Sequence, residues 1–535
     1  MNQSKVGLLD LPDEILLMIL KKLDNIDVLY SLLDVDNQRL DIIAQGNIFI
    51  NTLNFVFTTF TNDISSINDT MVDRFCRNIL PRIHYNIKSL TVDSLSMERI
   101  LFCVDYPNLT ELKLFNFNGK IASHYFRDKG PFDGHLVRQI TDLALVFQNT
   151  IYDTSTHYSL DTYRFIMQIF GNLKHLSIIG SYRWMFLDLS YHKSLPPSPV
   201  TFSSSTLTKL RIRVISYAAC LAVLDGRFKQ LRTLIVDIID IDLHQSYVCN
   251  MDDLPNLKCF SLTTTSTCFM DMFIESIPFL FRRMINLEEL TLQLSVIMGT
   301  VFIDGTHIYN NILIHLQQLR IFNFCICTDL RIDHLVHHLS KYDIQRTFSN
   351  AIYQDVDCMV QYGCNRATCH VFSLPFIFDY IGYIGNTFPS ITFIHVRRLF
   401  VCDLVPFEHE FFIRIASCFP LLEHLSMYNI GPQLKVSTKL KSDNSRMNSI
   451  VKYSHLIWLE LECVHIDYVE QFLNETKTHL PSLTRLTIYY SVLCNVTEDF
   501  TRYITRRNCI KVNQLNLGGG IIERSKDFNV YFPLL

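Results

Sequence analysis

No excess of charge of either sign marks this 535-residue chain: 48 Lys and Arg stand against 52 Asp and Glu, a net charge of −4. A phosphate backbone or an anionic membrane surface is met by a basic stripe, so neither nucleic acid nor membrane is an expected partner. Uninterrupted apolar runs of the roughly 18 residues that a spanning helix needs are also missing. Glycine (17) and proline (16) are scarce, and charged residues make up 19% against 48% hydrophobic. That composition excludes a disordered chain and predicts folded structure throughout. Asp10, Asp13 and Glu14 interrupt the stretch where a secretory signal would be apolar, so a cytoplasmic or nuclear location is expected. In that setting the 16 dispersed cysteines read as free buried thiols, and the Asn-x-Ser/Thr sites at Asn68, Asn108, Asn474 and Asn495 as unmodified.

Catalytic signatures are missing too. The phosphate-binding Gly-x-x-x-x-Gly-Lys-Ser/Thr and Gly-x-Gly-x-x-Gly, the nucleophile elbow Gly-x-Ser-x-Gly and the zinc-protease His-Glu-x-x-His do not occur. No enzymatic activity and no cofactor are expected. One cluster has metal-ligand chemistry: Cys358, Cys364, Cys369 and His370, with His334, His337 and His338 upstream. Zinc knuckles place two to four residues between paired cysteines, which this spacing does not, so buried thiols are the expectation and metal is not.

The N-terminus carries LPDEILLMILKKL. Pro12 suits a first helical turn, Asp13 and Glu14 complement the N-terminal end of the dipole, and Lys21 and Lys22 the C-terminal end, predicting a helix from about Pro12 to Leu23. Ile15, Leu16, Ile19, Leu20 and Leu23 form one stripe, and Leu17 and Met18 widen the apolar surface beyond what one core contact needs. A second short helix carries Val28, Leu29, Leu32 and Leu33, and a third begins near Asn37 with Arg39, Leu40 and Ile43.

LLDLPDEILLMILKKLDNIDVLYSLLDVDNQRL resembles the F-box, whose pattern runs Leu-Pro-x-Glu, an apolar helix, Asp-Leu/Val-x-x-Leu, Val and Arg-aromatic. Leu40 replaces the usual aromatic. The resemblance implies that residues 5–50 bind a Skp-type adaptor and, through it, a cullin scaffold. The contact would be made by Leu11, Pro12, Ile15, Leu16, Ile19, Leu20, Leu23, Leu29, Leu32 and Val35.

From residue 87 onward a phrase of the form apolar-x-x-apolar-x-apolar recurs. Strict copies start at Leu109, Leu173, Leu207, Leu231, Leu287, Leu456 and Leu483; looser ones start at Ile87, Ile140, Leu257, Leu319, Ile391, Leu422 and Val512. Successive starts lie 22, 31, 33, 34, 24, 26, 30, 32, 72, 31, 34, 27 and 29 residues apart, a clustered period with one double interval. This resembles the leucine-rich repeat, in which each unit supplies a strand and a return, and stacked units bury one another's leucines. The family places Asn or Cys at the ninth position, where the side chain hydrogen-bonds the turn leaving the strand; here that position holds Cys327 once, with Ser181, Thr265, Ser295 and Ser491 as small polar substitutes and apolar residues in several other units.

The fold class expected is therefore α/β: a three-helix F-box, residues 51–86 as linker or first irregular repeat, and residues 87–535 as an irregular parallel-sheet horseshoe with a C-terminal cap. LPPSPVTFSSS (195–205) and KVSTKLKSDNSRMNS (435–449) read as surface insertions. Strand alternation points the leucines inward and the residues between them outward. In three C-terminal units the outward set is His424, Ser426 and Tyr428; Trp458, Glu460 and Glu462; Arg485, Thr487 and Tyr489. This aromatic and charged mixture is expected to hold an unknown protein target. A purely basic rival set is Lys209, Arg211 and Arg213. The function implied is substrate recognition for a cullin-based ubiquitin ligase. The alternative is a repeat scaffold without a role in ubiquitin transfer.

Overall fold

The computed structural model describes residues 8–535 except 59–63, 118–120, 122–123, 126–134, 148–156, 159–165, 167–168, 181–185, 188–203, 215–216, 225–227, 239–252, 335–336, 350–354, 364, 434–448 and 519–526. Nearly all of both expected surface insertions, and the ninth-position Ser181, thus lie outside the described residues. The chain divides into two compact units: Met1–Ser266, Leu280–Glu289 and Leu316–Gln318 form one, and Thr267–Phe279, Leu290–His315 and Leu319–Leu535 the other. Both are α/β, with mostly parallel strands.

The first unit opens with helices α1 (Asp13–Leu20), α2 (Asn25–Leu32) and α3 (Gln38–Ala44). Pro12 caps α1 with φ −57°, as its ring requires. The helix ends at Leu20 instead of continuing to Leu23: Lys22 and Leu23 donate to Ile19 and Leu20, three residues back, so the last turn tightens out of the α-helical pattern. Asn37 caps α3 by accepting from the Leu40 N–H at 3.1 Å. Leu16, Leu20, Val28, Leu40, Ile43 and Phe49 form the small core of this module.

A parallel ladder follows in the same unit: β1 (Thr52–Asn54), β2 (Ser89–Asp93), β3 (Glu111–Phe117), β4 (Asp142–Phe147), β5 (His175–Gly180), β6 (Lys209–Val214), β7 (Thr233–Ile238) and most of β8 (Cys259–Phe269). The register places Leu53, Leu90, Leu112, Leu143, Leu176, Leu210, Leu234 and Phe260 side by side. Each is no more than 2% exposed. The apolar residue at the fourth place of every phrase thus stacks on its counterpart in the next, and each unit covers its neighbour's apolar face. β1 lies in the stretch expected as linker or first irregular repeat, and it pairs in register like the rest.

In the second unit β9 (Glu289–Ile297) and β10 (Ile321–Arg331) are followed by β11 (Val356–Tyr362) and β12 (Arg366–Ser373). β12 runs antiparallel to both β10 and β11, whereas all strands were expected to be parallel. The double interval explains the difference, because a hairpin needs only a tight turn between its strands while a parallel pair needs a crossover.

A separate six-stranded parallel sheet comprises β13 (Tyr380–Ile384), β14 (Arg398–Cys402), β15 (His424–Asn429), β16 (Trp458–Val464), β17 (Arg485–Tyr489) and β18 (Gln514–Gly518). Its register aligns Ile381, Leu399, Leu425, Leu459, Leu486 and Leu515. The phrase read at Ile391 is out of frame. The strand instead uses Val396, Leu399 and Val401, all buried, and leaves Ile394 exposed. Helices α4 (His409–Cys418) and α5 (Ile466–Leu473) send Phe411, Phe412 and Ile415, and Tyr468, Val469 and Phe472, into the core that holds these strand residues.

The turn-closing role expected at the ninth position falls to earlier residues. Asp93 accepts from the N–H groups of Leu95 (2.7 Å) and Ser96 (3.2 Å). Asp403 accepts from Val405 N–H at 3.0 Å, and Asn429 from Gly431 N–H at 3.0 Å. Cys327 cannot serve, because β10 runs on past it to Arg331.

Candidate functional site

Two surfaces carry the residues singled out above. The first is the outer side of the N-terminal helices. Helix α1 has apolar residues all round, and its small module covers only one face. Leu16 is completely buried and Leu20 nearly so, while Ile15, Met18, Ile19 and, just beyond the helix, Leu23 are exposed, Met18 at 65%. Leu9, Pro12 and Val35 are also exposed, and Leu11 and Leu32 half-buried. Leu16, Leu20 and Leu29, named as contact residues, are buried instead, and a module this short spends Leu16 and Leu20 holding its own helices together. Met18 and Leu9 are exposed apolar residues that the contact set omitted. The 3.6-residue period puts Met18 beside Ile15 and could have shown it; nothing in the pattern marks Leu9.

Arg39 on α3 sets the Leu-Pro segment. Its guanidinium donates to the carbonyls of Leu9 (2.7 Å) and Leu11 (2.5 Å) and pairs with the Asp13 carboxylate (2.7 Å). Five N–H donors in a rigid plane let one side chain hold three acceptors across two segments.

The second surface is the face of the six-stranded sheet turned away from its leucines. Arg398, His424, Trp458, Arg485 and Gln514 stand in one row, and Phe400, Ser426, Glu460, Thr487 and Asn516 in the next. The sheet thus brings His424, Trp458, Glu460 and Arg485 together as expected. Trp458 is half-buried by its own neighbours: its ring stacks on His424, centroids 4.1 Å apart and 5° from parallel, and its Nε1–H donates to the Thr487 hydroxyl at 3.1 Å. Thr487, expected outward, is therefore buried under the indole. Glu460 Oε2 lies 3.3 Å from His424 Nε2, within ion-pair range but without hydrogen-bond alignment.

Alternation fails beyond Leu461. The register slips between Ser426 and Tyr428, so that Tyr428 faces Cys463 and not Glu462, and both Glu462 and Cys463 are exposed. A bulge of this kind places two residues of one strand against one of the other. Tyr428 and Tyr489 are exposed. Arg398 and Phe400 belong to the same face and were missed because the phrase was read at Ile391. Arg398 pairs with Asp379 at 3.1 Å and lies 5.6 Å from the Tyr380 ring centroid, and the Tyr383 and Phe400 rings meet edge to face at 5.3 Å. Burial pushes the Tyr383 phenol up and the Cys402 thiol up to about 11, so both are neutral. The chemistry on offer is recognition by flat rings, guanidinium groups and carboxylates.

Of the remaining candidates, Cys358 and Cys369 share one face of the β11–β12 hairpin and His370 turns to the other. Cys358 lies opposite Val371, Cys369 opposite Val360, and His370 opposite Met359, and His370 Nε2 bonds to the Gly382 carbonyl at 2.8 Å. Adjacent strand residues point to opposite faces, so Cys369 and His370 diverge. Cys364 is outside the described residues, among which no metal-binding group of side chains occurs. In the basic set, Arg213 is paired with Asp237 at 2.6 Å. Among the described residues no helix is long and apolar enough to cross a membrane. No protein-family pattern matches the chain, and no curated protein matches it in sequence.

Proposed function

We propose that the protein is the substrate-recognition subunit of a Skp-cullin-F-box-type ubiquitin ligase, with an F-box at its N-terminus and leucine-rich repeats behind it. The observation that carries this reading is the doubly apolar α1, whose inner face packs on its own module while Ile15, Met18, Ile19 and Leu23 are bare. A contiguous exposed apolar patch on a folded module marks a protein interface, and covering each such side chain contributes about 1.5–3 kcal/mol. The stacked in-register strands support the repeat reading, since a ladder of this kind offers a long face for a target. The protein would act by proximity, holding a target near a charged enzyme, and would supply no catalytic group.

The double variant Met18→Glu, Ile19→Glu tests it. Both residues are exposed, so the fold should survive while co-purification of a Skp-type adaptor and its cullin is lost. Adaptor recovery equal to that of the unaltered protein would overturn the reading. Recovery of adaptor without cullin would favour a scaffold outside ubiquitin transfer.

A further inference from the structure

We propose that Lys174, Lys209, Arg211 and Arg232 form a binding site for a phosphorylated segment of a partner protein. Lys174, Lys209 and Arg232 stand at the entries of the neighbouring strands β5, β6 and β7, and Arg211 follows two residues into β6. The Lys209 N–H donates to the Lys174 carbonyl at 3.0 Å, and the Arg232 N–H to the Thr208 carbonyl at 2.8 Å. Lys209 and Arg211 alternate with the buried Leu210 and Ile212, so both leave the outer face of the sheet. All four cations are exposed, and none has an ion pair among the described residues.

The charges around them are already matched. His175, in register with Lys209, is paired with Asp142; Arg213 holds Asp237 at 2.6 Å, and Lys258 holds Glu288 at 2.5 Å. The other residues in register with Lys209 and Arg211 are Thr233, Ser177 and Ile235, none of them a carboxylate. Like charges set side by side raise the energy of the folded state, and an anion held between them removes that cost.

A phosphate fits this cluster better than a carboxylate. A phosphoserine or phosphothreonine brings a charge of about −1.5 to −2 and three acceptor oxygens. It can engage the Arg211 fork and the Lys209 ammonium at once, with the Ser177 hydroxyl beside Arg211. A carboxylate carries a single charge and leaves the rest of the cluster unmatched. A nucleic-acid strand fits poorly, because its next phosphates would run past Asp142 and Glu111, in register on the neighbouring strands. The site lies on the ladder and not on the N-terminal helices, so it stands whether or not the protein binds an adaptor.

Full-length protein titrated with fluorescein-labelled peptide pools tests this, one central phosphoserine in randomised flanks being compared with serine or aspartate at the same place. The phosphoserine pool should bind, and inorganic phosphate should compete. The double variant Lys209→Gln, Arg211→Gln should weaken binding about tenfold or more with the unfolding midpoint unchanged. Arg211→Lys keeps the charge without the planar fork and should lose less than Arg211→Gln. Equal binding of the serine and phosphoserine pools, or equal binding of the phosphoserine pool by the native protein and the double variant, would overturn the proposal. So would an aspartate pool that binds as tightly as phosphoserine, or a single-stranded oligonucleotide that binds more tightly.

Discussion

Arg39 holds Asp13 at 2.7 Å across the N-terminal module, and the same guanidinium takes the Leu9 and Leu11 carbonyls. The Leu9–Leu11 segment that leads into the exposed apolar face of α1 is therefore held from α3.

Arg39→Ala should release that segment. The ion pair is exposed and contributes little, so the unfolding midpoint should fall only slightly. Two carbonyl contacts are lost as well, and if α1 loosens with them, cleavage by trypsin at Lys21 and Lys22, at its far end, should become measurably faster. Arg39→Lys, a point charge without a planar fork, should restore only part of the protection. Unchanged cleavage in Arg39→Ala would show that α1 is placed by its core contacts alone.

Trp458→Ala removes a ring that covers Thr487 and stacks on His424. If this face holds the target, proteins enriched by proximity labelling around the full chain should bind about 2 kcal/mol more weakly, roughly thirtyfold, with adaptor recovery unaltered. Trp458→Phe keeps a stacking ring and loses only the Nε1 donor, so it should retain most of the binding. Equal enrichment for all three proteins would move the target site elsewhere.

The ladder was legible because its signal is repetitive: an apolar residue, usually leucine, at the fourth place of each phrase is buried by the next, and the period shows it even where single copies are loose. The frame at Ile391 was misread because Ile391, Ile394 and Val396 satisfy the same loose phrase as Val396, Leu399 and Val401, and only packing distinguishes them. The hairpin of β11 and β12 was hidden for a related reason, since strand direction leaves no mark on an apolar run. On the candidate faces, the row His424, Trp458 and Arg485 followed from alternation, and Glu462 did not, because a bulge adds a residue without changing the pattern. The burial of Leu16, Leu20 and Leu29 was hidden by the even apolarity of the helices, which gives no sign of which face the module itself consumes.

Asn429 is completely buried at the end of β15, donating to the Val405 carbonyl at 2.8 Å and accepting from Gly431 N–H. Asn429→Ala strands both partners, although Asn386 also reaches Val405 at 3.1 Å, so a loss of about 2 kcal/mol in urea unfolding is expected. Asn429→Asp keeps the acceptor but turns a negative oxygen toward a carbonyl, and should be worse than Ala. An Asp variant as stable as the native protein would show that the donor side of this amide is unimportant.

His370 is completely enclosed in β12, and burial lowers its pKa from 6.5 to about 4, against a smaller opposing effect from its bond to the Gly382 carbonyl. The folded state therefore holds a neutral imidazole with Nε2 as donor, while the unfolded chain takes up a proton below about 6.5. Between those values the unfolded state binds more protons, so stability rises with pH. The contribution is fully present above about 6.5 and is lost progressively as pH falls toward about 4, amounting to about 3 kcal/mol across the whole window. His370→Gln can still donate to Gly382 but cannot titrate. Urea unfolding at about pH 7.5 and about pH 5 should show the native protein losing about 2 kcal/mol more than the variant. Equal losses would mean that His370 is protonated within the fold, or that its enclosure opens before the chain unfolds.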